Sequence, residues 1–146
     1  MNRQEEPQLI YSYTRAQAIE DGVLVDVTNA TDANGQRLSP FRYPVAMTRA
    51  VWETTIGAGG VWEDEADGEA VLKLPGGQDV AGRMHDVFWM LRCALARPHA
   101  RPDEVNFSVL VDVNGDGRKT KVDLWSKCGP GDNAEPVLTI MLTTED

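Results

Sequence analysis

Between Asp79 and Asp123 the hydrophobic period of the chain changes once, and that change narrows the folds open to it. In "VAGRMHDVFWMLRCALAR", Val80, Met84, Val87, Phe88, Leu91 and Leu95 fall on one helical face, and Asp79 stands where it can cap the first turn. After the breaker "PHARPD" the period becomes two. Val105, Phe107, Val109, Val111 and Val113 share one face of a strand, and Thr120, Val122 and Leu124 share one face of the next. The closing segment "PVLTIML" is apolar on both faces and so belongs in the middle of a sheet or under two layers. This pattern predicts an α+β domain, with helices packed on one side of an antiparallel β-sheet that ends in a C-terminal three-stranded meander. His85, Trp89 and Arg92 form a second face of the long helix, which predicts cover on more than one side.

Upstream signals are shorter. Residues 1–10 read as a loose arm; Thr14 with Gln17 then forms a capping box that opens a short helix, "RAQAIED", stopped at Gly22. The strand "VLVDV" follows, and "TNATDANGQRLSP" is a polar loop. Pro44 sits where a first helical turn tolerates proline, and Met47, Ala50, Val51 and Trp52 give an apolar stripe, so a second helix is expected from Pro44 to near Gly57. Residues 57–77, with "GAGG" and "VWEDEADGE", fit a loop or a β-hairpin insertion. At 146 residues, one compact domain over 1–146 is the expectation.

One stretch poses a metal question. In "VDVNGDGRKTKVD", Asp112, Asn114, Asp116, Gly117 and Asp123 match positions 1, 3, 5, 6 and 12 of an EF-hand calcium loop. Such a loop needs a helix on each side, whereas the flanking residues alternate in period two and are rich in valine. With Gly115 and Asp116 at a hairpin tip, Val111 faces Thr120, Val109 faces Val122 and Phe107 faces Leu124, and every apolar side chain lies on one face. Asp123 then stands roughly 16 Å up the strand from Arg118, too far to close an ion cage at the tip. The expectation is a hairpin without metal, with Asp112 facing Lys119 across it.

Fourteen Lys and Arg against 23 Asp and Glu leave a net charge of −9, which disfavours direct nucleic-acid binding and anionic membrane surfaces and suits a basic partner or simple solubility. Two cysteines, Cys93 and Cys128, are too few for a disulfide framework and lack zinc-site spacing. No signal segment or membrane-length apolar run is present, so a cytoplasmic protein with no membrane association is expected.

Catalytic material is sparse. His85, Asp86 and Cys93 are the obvious candidates, yet adjacent helical residues project about 100° apart and Cys93 lies two turns from His85, so no catalytic constellation, cofactor or metal site is expected. Two surfaces are better candidates. "IYSYTR" and "FRYPVAMTR" join tyrosines to arginines at helix starts, and Tyr11, Tyr13, Arg15, Arg42, Tyr43 and Arg49 would line a site for a nucleotide-like anion if they converged. Trp62 beside Glu63, Asp64, Glu65, Asp67 and Glu69 would instead dock a basic protein.

The segments "IYSYTRAQAIEDGVLVDV", "FRYPVAMTRAVW", "GRMHDVFWMLR" and "PVLTIMLTTED" resemble an uncharacterised family of small proteins carried by phages, plasmids and other mobile elements. The resemblance spans most of the chain outside the loops near 28–38 and 57–76. It implies no catalytic residues and supplies a setting, in which small acidic proteins act stoichiometrically on a host machine or defence system. The functional expectation is therefore a non-enzymatic inhibitor binding a host protein in the host cytoplasm. A protein sequestering a small anionic ligand is the alternative, and a homo-oligomer is compatible with either.

Overall fold

The computed structural model describes residues 13–145, so the expected N-terminal arm and Tyr11 lie outside the described residues. The elements are α1 (Arg15–Glu20), β1 (Leu24–Asp26), β2 (Val45–Thr48), α2 (Arg49–Thr54), β3 (Val61–Asp64), β4 (Ala70–Lys73), a 3₁₀ turn at Pro75–Gly77, α3 (Val80–Ala96), β5 (Glu104–Val111), β6 (Thr120–Pro130) and β7 (Pro136–Leu142). The five-stranded sheet has the order β1-β2-β7-β6-β5, and β3 pairs only with β4. The architecture is α+β with the expected C-terminal meander. The sheet is mixed, because β2 lies parallel to β7 while its other neighbours pair antiparallel. As the doubly apolar pattern of "PVLTIML" demands, β7 is the central strand.

The meander closes in the register that alternation dictates, with Val111 opposite Thr120, Val109 opposite Val122 and Phe107 opposite Leu124. All of those side chains but the exposed Thr120 join the main core with Met84, Val87, Phe88 and Leu91 of α3 and Val51 of α2. Asp79 caps α3 by accepting from the Gly82 amide at 2.7 Å. The second face of α3 is open rather than covered: Trp89 is 51 % exposed, with the His85 ring stacked on it and the Arg92 guanidinium 5.8 Å from its centroid.

The segment after Pro44 departs from expectation. Val45, Ala46 and Met47 form β2, and only from Arg49 does a helix run, capped by Thr48. The reason is burial on both faces: all three residues have no exposure, so the period-two signal is erased and the spacing of Met47 to Val51 mimics a helical stripe. Ala46 and Val137 alternate with the core-facing Val45 and Leu138 and stand outside the main core cluster. Arg15 reaches the hydroxyl of Thr139, on the same reverse face as Val137, which places α1 on the opposite side of the sheet from α2 and α3.

A buried cation ties the core side together. Arg83, 6 % exposed, lies on the apolar stripe of α3 and donates to the carbonyls of Ile56 (3.1 Å), Ala58 and Asp112 (2.8 Å), and to the Gln78 side chain at 3.1 Å. Gln78 donates in turn to the Pro75 and Asp112 carbonyls. One side chain thus joins the end of α2, the start of α3 and the tip of the β5–β6 hairpin. Desolvation pulls its pKa below the ordinary arginine value, and the nearby Asp112 opposes that shift.

The same tip is a turn between two strands, not the helix-flanked loop of an EF-hand. The Asp112 carboxylate accepts from the amides of Gly115 (2.8 Å), Asp116 (3.2 Å) and Gly117 (3.0 Å), folding the loop around itself rather than pairing with Lys119. Asp123 lies up the strand, where it accepts from the Ser108 hydroxyl. Gly115 is needed on two counts: its φ is +73°, and a Cβ there would fall 2.6 Å from the Gly76 nitrogen, so only glycine lets the tip rest on the Pro75–Gly77 turn.

Candidate functional site

The two clusters proposed from sequence are treated very differently by the fold. In the tyrosine and arginine cluster, each polar group with a bond has a local partner. The Tyr13 hydroxyl donates to Asp21 at 2.7 Å, and this hydrogen bond holds the phenol above its ordinary pKa. Arg15 donates to the Thr139 hydroxyl at 2.9 Å and to the Leu138 carbonyl at 3.2 Å, and burial pulls its pKa down against the favourable charges of Asp26, Asp132 and Glu135. The backbone amides at the start of α1 are occupied as well, since Asp132 accepts from Arg15 and Ala16 at 2.8 and 3.0 Å. A carboxylate of the protein itself therefore stands where an anionic ligand was expected.

Arg49 pairs with Glu53 at 3.1 Å on an exposed surface and lies beside Gly22. Tyr13 and Arg49 thus each border the Asp21–Gly22 turn. Arg15 sits against β7, where Leu138 also donates to the carbonyl of Pro44, next to Tyr43. Arg42 and Tyr43 are exposed, Tyr43 by 38 %. Of the five described residues, Tyr13 and Arg49 border one turn, Arg15 lies against β7 on the reverse face, and Arg42 and Tyr43 are exposed, so no single site is formed among them; Tyr11 lies outside the described residues.

The acidic cluster forms a free-standing hairpin. β3 and β4 pair over Val61–Asp64 and Ala70–Lys73, with Trp62 opposite Leu72 and Glu63 opposite Val71, and no third strand joins them among the described residues. The turn is built by the Glu69 carbonyl accepting from Glu65, the Glu65 carbonyl accepting from Gly68, and Asp67 accepting from Glu69. Every residue of β3 is exposed, and so are all of β4 but Leu72. Trp62 is 65 % exposed, Val61 61 % and Val71 37 %.

Between Val61 and Lys73 stand five carboxylates and one lysine, which pairs with Glu65 at 3.2 Å. At the root, Gly60 lies against Leu72 and Leu74, so close that a Cβ would fall 2.7 Å from the Leu72 methyl. The hairpin is anchored at one end and bare along its length. Sequence reasoning found its acids and Trp62; it missed Val61 and Val71, whose alternation around the acids was the available signal.

The remaining chemistry is local. His85 lies 3.8 Å from Asp86 and stacks on Trp89, and Cys93 is half-buried. Among the described residues no group of three or more His, Cys, Asp or Glu is placed to hold a metal, and no helix is long and apolar enough to cross a membrane. Comparison of the chain with curated proteins and with solved structures finds no match. A family model does match, over residues 1–146, and the chain belongs to that family of unknown function, DUF6573.

Proposed function

We propose that this is a non-enzymatic protein-binding module, which docks the acidic β3–β4 hairpin onto a basic surface of another protein. The observation that carries this reading is the hairpin itself. An isolated two-stranded hairpin is marginal in water, and Trp62, Val61 and Val71 on its surface bury little in their own chain while standing among five carboxylates. The register sets Trp62 with Leu72 on one face and Val61 with Val71 on the other, and an exposed tryptophan with a charged surround has the composition of an interface hot spot and its rim. The field of a protein with net charge −9 would speed encounter with a positive surface, and the hairpin concentrates that charge.

The resemblance to proteins of mobile elements makes a host or defence-system protein in the cytoplasm the proposed partner, held stoichiometrically and inhibited by occlusion. The alternative, sequestration of a small nucleotide-like anion, gains nothing from the geometry, because Arg15 and Arg49 are engaged and Asp132 fills the start of α1.

The test is capture from host lysate by wild type and by a Trp62→Ser, Glu63→Lys, Glu65→Lys variant, compared by quantitative mass spectrometry. A basic protein retained in near-equal molar amount by wild type and lost by the variant is expected. The same proteins captured by both would refute the hairpin as the docking surface, and a nucleotide bound by both would favour the alternative.

A further inference from the structure

We propose that β5 is a second interface, at which two copies of this chain pair edge to edge about a two-fold axis into one continuous sheet. β5 is the outer strand of the sheet, and no strand lies beyond it among the described residues. The other edge, β1, has three residues; β5 has eight. From Val105 to Val111 it reads "VNFSVLV", with no charge, proline or glycine, and so lacks the devices that normally keep a strand edge from pairing. Leu110 is 56 % exposed on its outer face. Above the edge a groove of about 390 Å³ is lined by Trp89, Met90 and Val109 with Leu110, Lys119 and Lys121. The exposed Leu110 and the Trp89, Met90 and Val109 wall of the groove thus leave apolar surface open beside the edge.

The occupant follows from the charges flanking that edge. Asp86, Met90 and Cys93 of α3 and Arg97 at its C-cap recur at spacings of four, three and four, so they form one stripe. Asp86 and Met90 line the groove at one end of β5, and Arg97 lines a cleft of about 410 Å³ with Glu104 and Asn106 at the other.

A two-fold axis normal to the sheet makes β5 antiparallel to its copy and α3 antiparallel to its copy, as an isologous interface requires. The stripe reads acid, apolar, apolar, base. Reversed against itself it sets Asp86 opposite Arg97 and Met90 opposite Cys93. The same operation carries Glu104 toward the end of β5 where Lys119 and Lys121 stand, so both charge sets are self-complementary. Among the described residues of the single chain the ion pairs of these groups are long, Asp86 to His85 at 3.8 Å, Glu104 to Arg101 at 3.7 Å and Lys121 to Asp123 at 3.7 Å. A second copy satisfies the open backbone edge, the apolar groove and both charge sets with one operation.

The experiment measures mass by light scattering and dissociation by sedimentation at about 100 μM, where a micromolar dimer is largely assembled. Wild type is expected at twice the mass of one chain. Asp86→Arg, Arg97→Asp and Leu110→Lys, all at exposed positions and checked for folding by circular dichroism, should each weaken the dimer by about tenfold or more. Asp86→Arg combined with Arg97→Asp should recover most of that loss, as charge exchange across a two-fold requires. A single-chain mass for wild type, a dimer indifferent to these substitutions, or failure of the double variant to recover would overturn the proposal.

Discussion

Arg83 carries a positive charge into the interior with no carboxylate in contact among the described residues, and its hydrogens go to backbone carbonyls from two segments and to the Gln78 side chain. The gain lies in connection: the turn after α2 and the β5–β6 tip expose carbonyls that a planar, forked donor can reach together. Removing it leaves several buried acceptors without donors, and Arg83→Met should lower stability by about 2–5 kcal/mol in urea unfolding at neutral pH. Arg83→Lys should recover little of this, because one ammonium cannot span from Ala58 to Asp112. Recovery by lysine would show that charge, rather than the fork, is what the site needs. The sequence held a sign of this role, since position 83 stands four before Val87 on the apolar face. A solvated arginine at the edge of a stripe gives the same pattern, and the carbonyls it meets come from segments whose approach only the tertiary fold decides.

At the scale of elements, legibility tracked how many faces a segment buries. The β5–β6 register was readable because each strand buries one face, so a slip by one residue would expose every valine. The place of β7 was readable because its apolar residues fill both faces. β2 was hidden by the same property in a shorter segment, where three fully buried residues carry no period. The acidic run was legible in composition, while its form as a bare hairpin depended on whether other strands would cover it. These assignments separate in mutational cost. Leu91→Ala, with no exposure in the core, should cost about 2–5 kcal/mol. Trp62→Ala, 65 % exposed, should change stability by no more than about 0.5 kcal/mol in the same unfolding assay. A large loss at Trp62 would mean that the hairpin supports the fold, and its exposed apolar residues would then need no partner.

Across the whole molecule, the core and the acidic hairpin are separate. The core lies between the sheet and α2 and α3, the β3–β4 hairpin extends from a glycine-rich root, and β5 closes the sheet at its outer edge. A protein divided in this way can hold its fold constant while a small surface meets a partner. Site-specific photo-crosslinking tests it most directly, with a photoreactive side chain at position 62 and a control at the exposed Lys127 on β6. In host cells, position 62 should yield one predominant covalent adduct with a basic protein that position 127 does not form. Adducts absent at 62, or the same at both positions, would contradict the assignment of the hairpin as the binding surface.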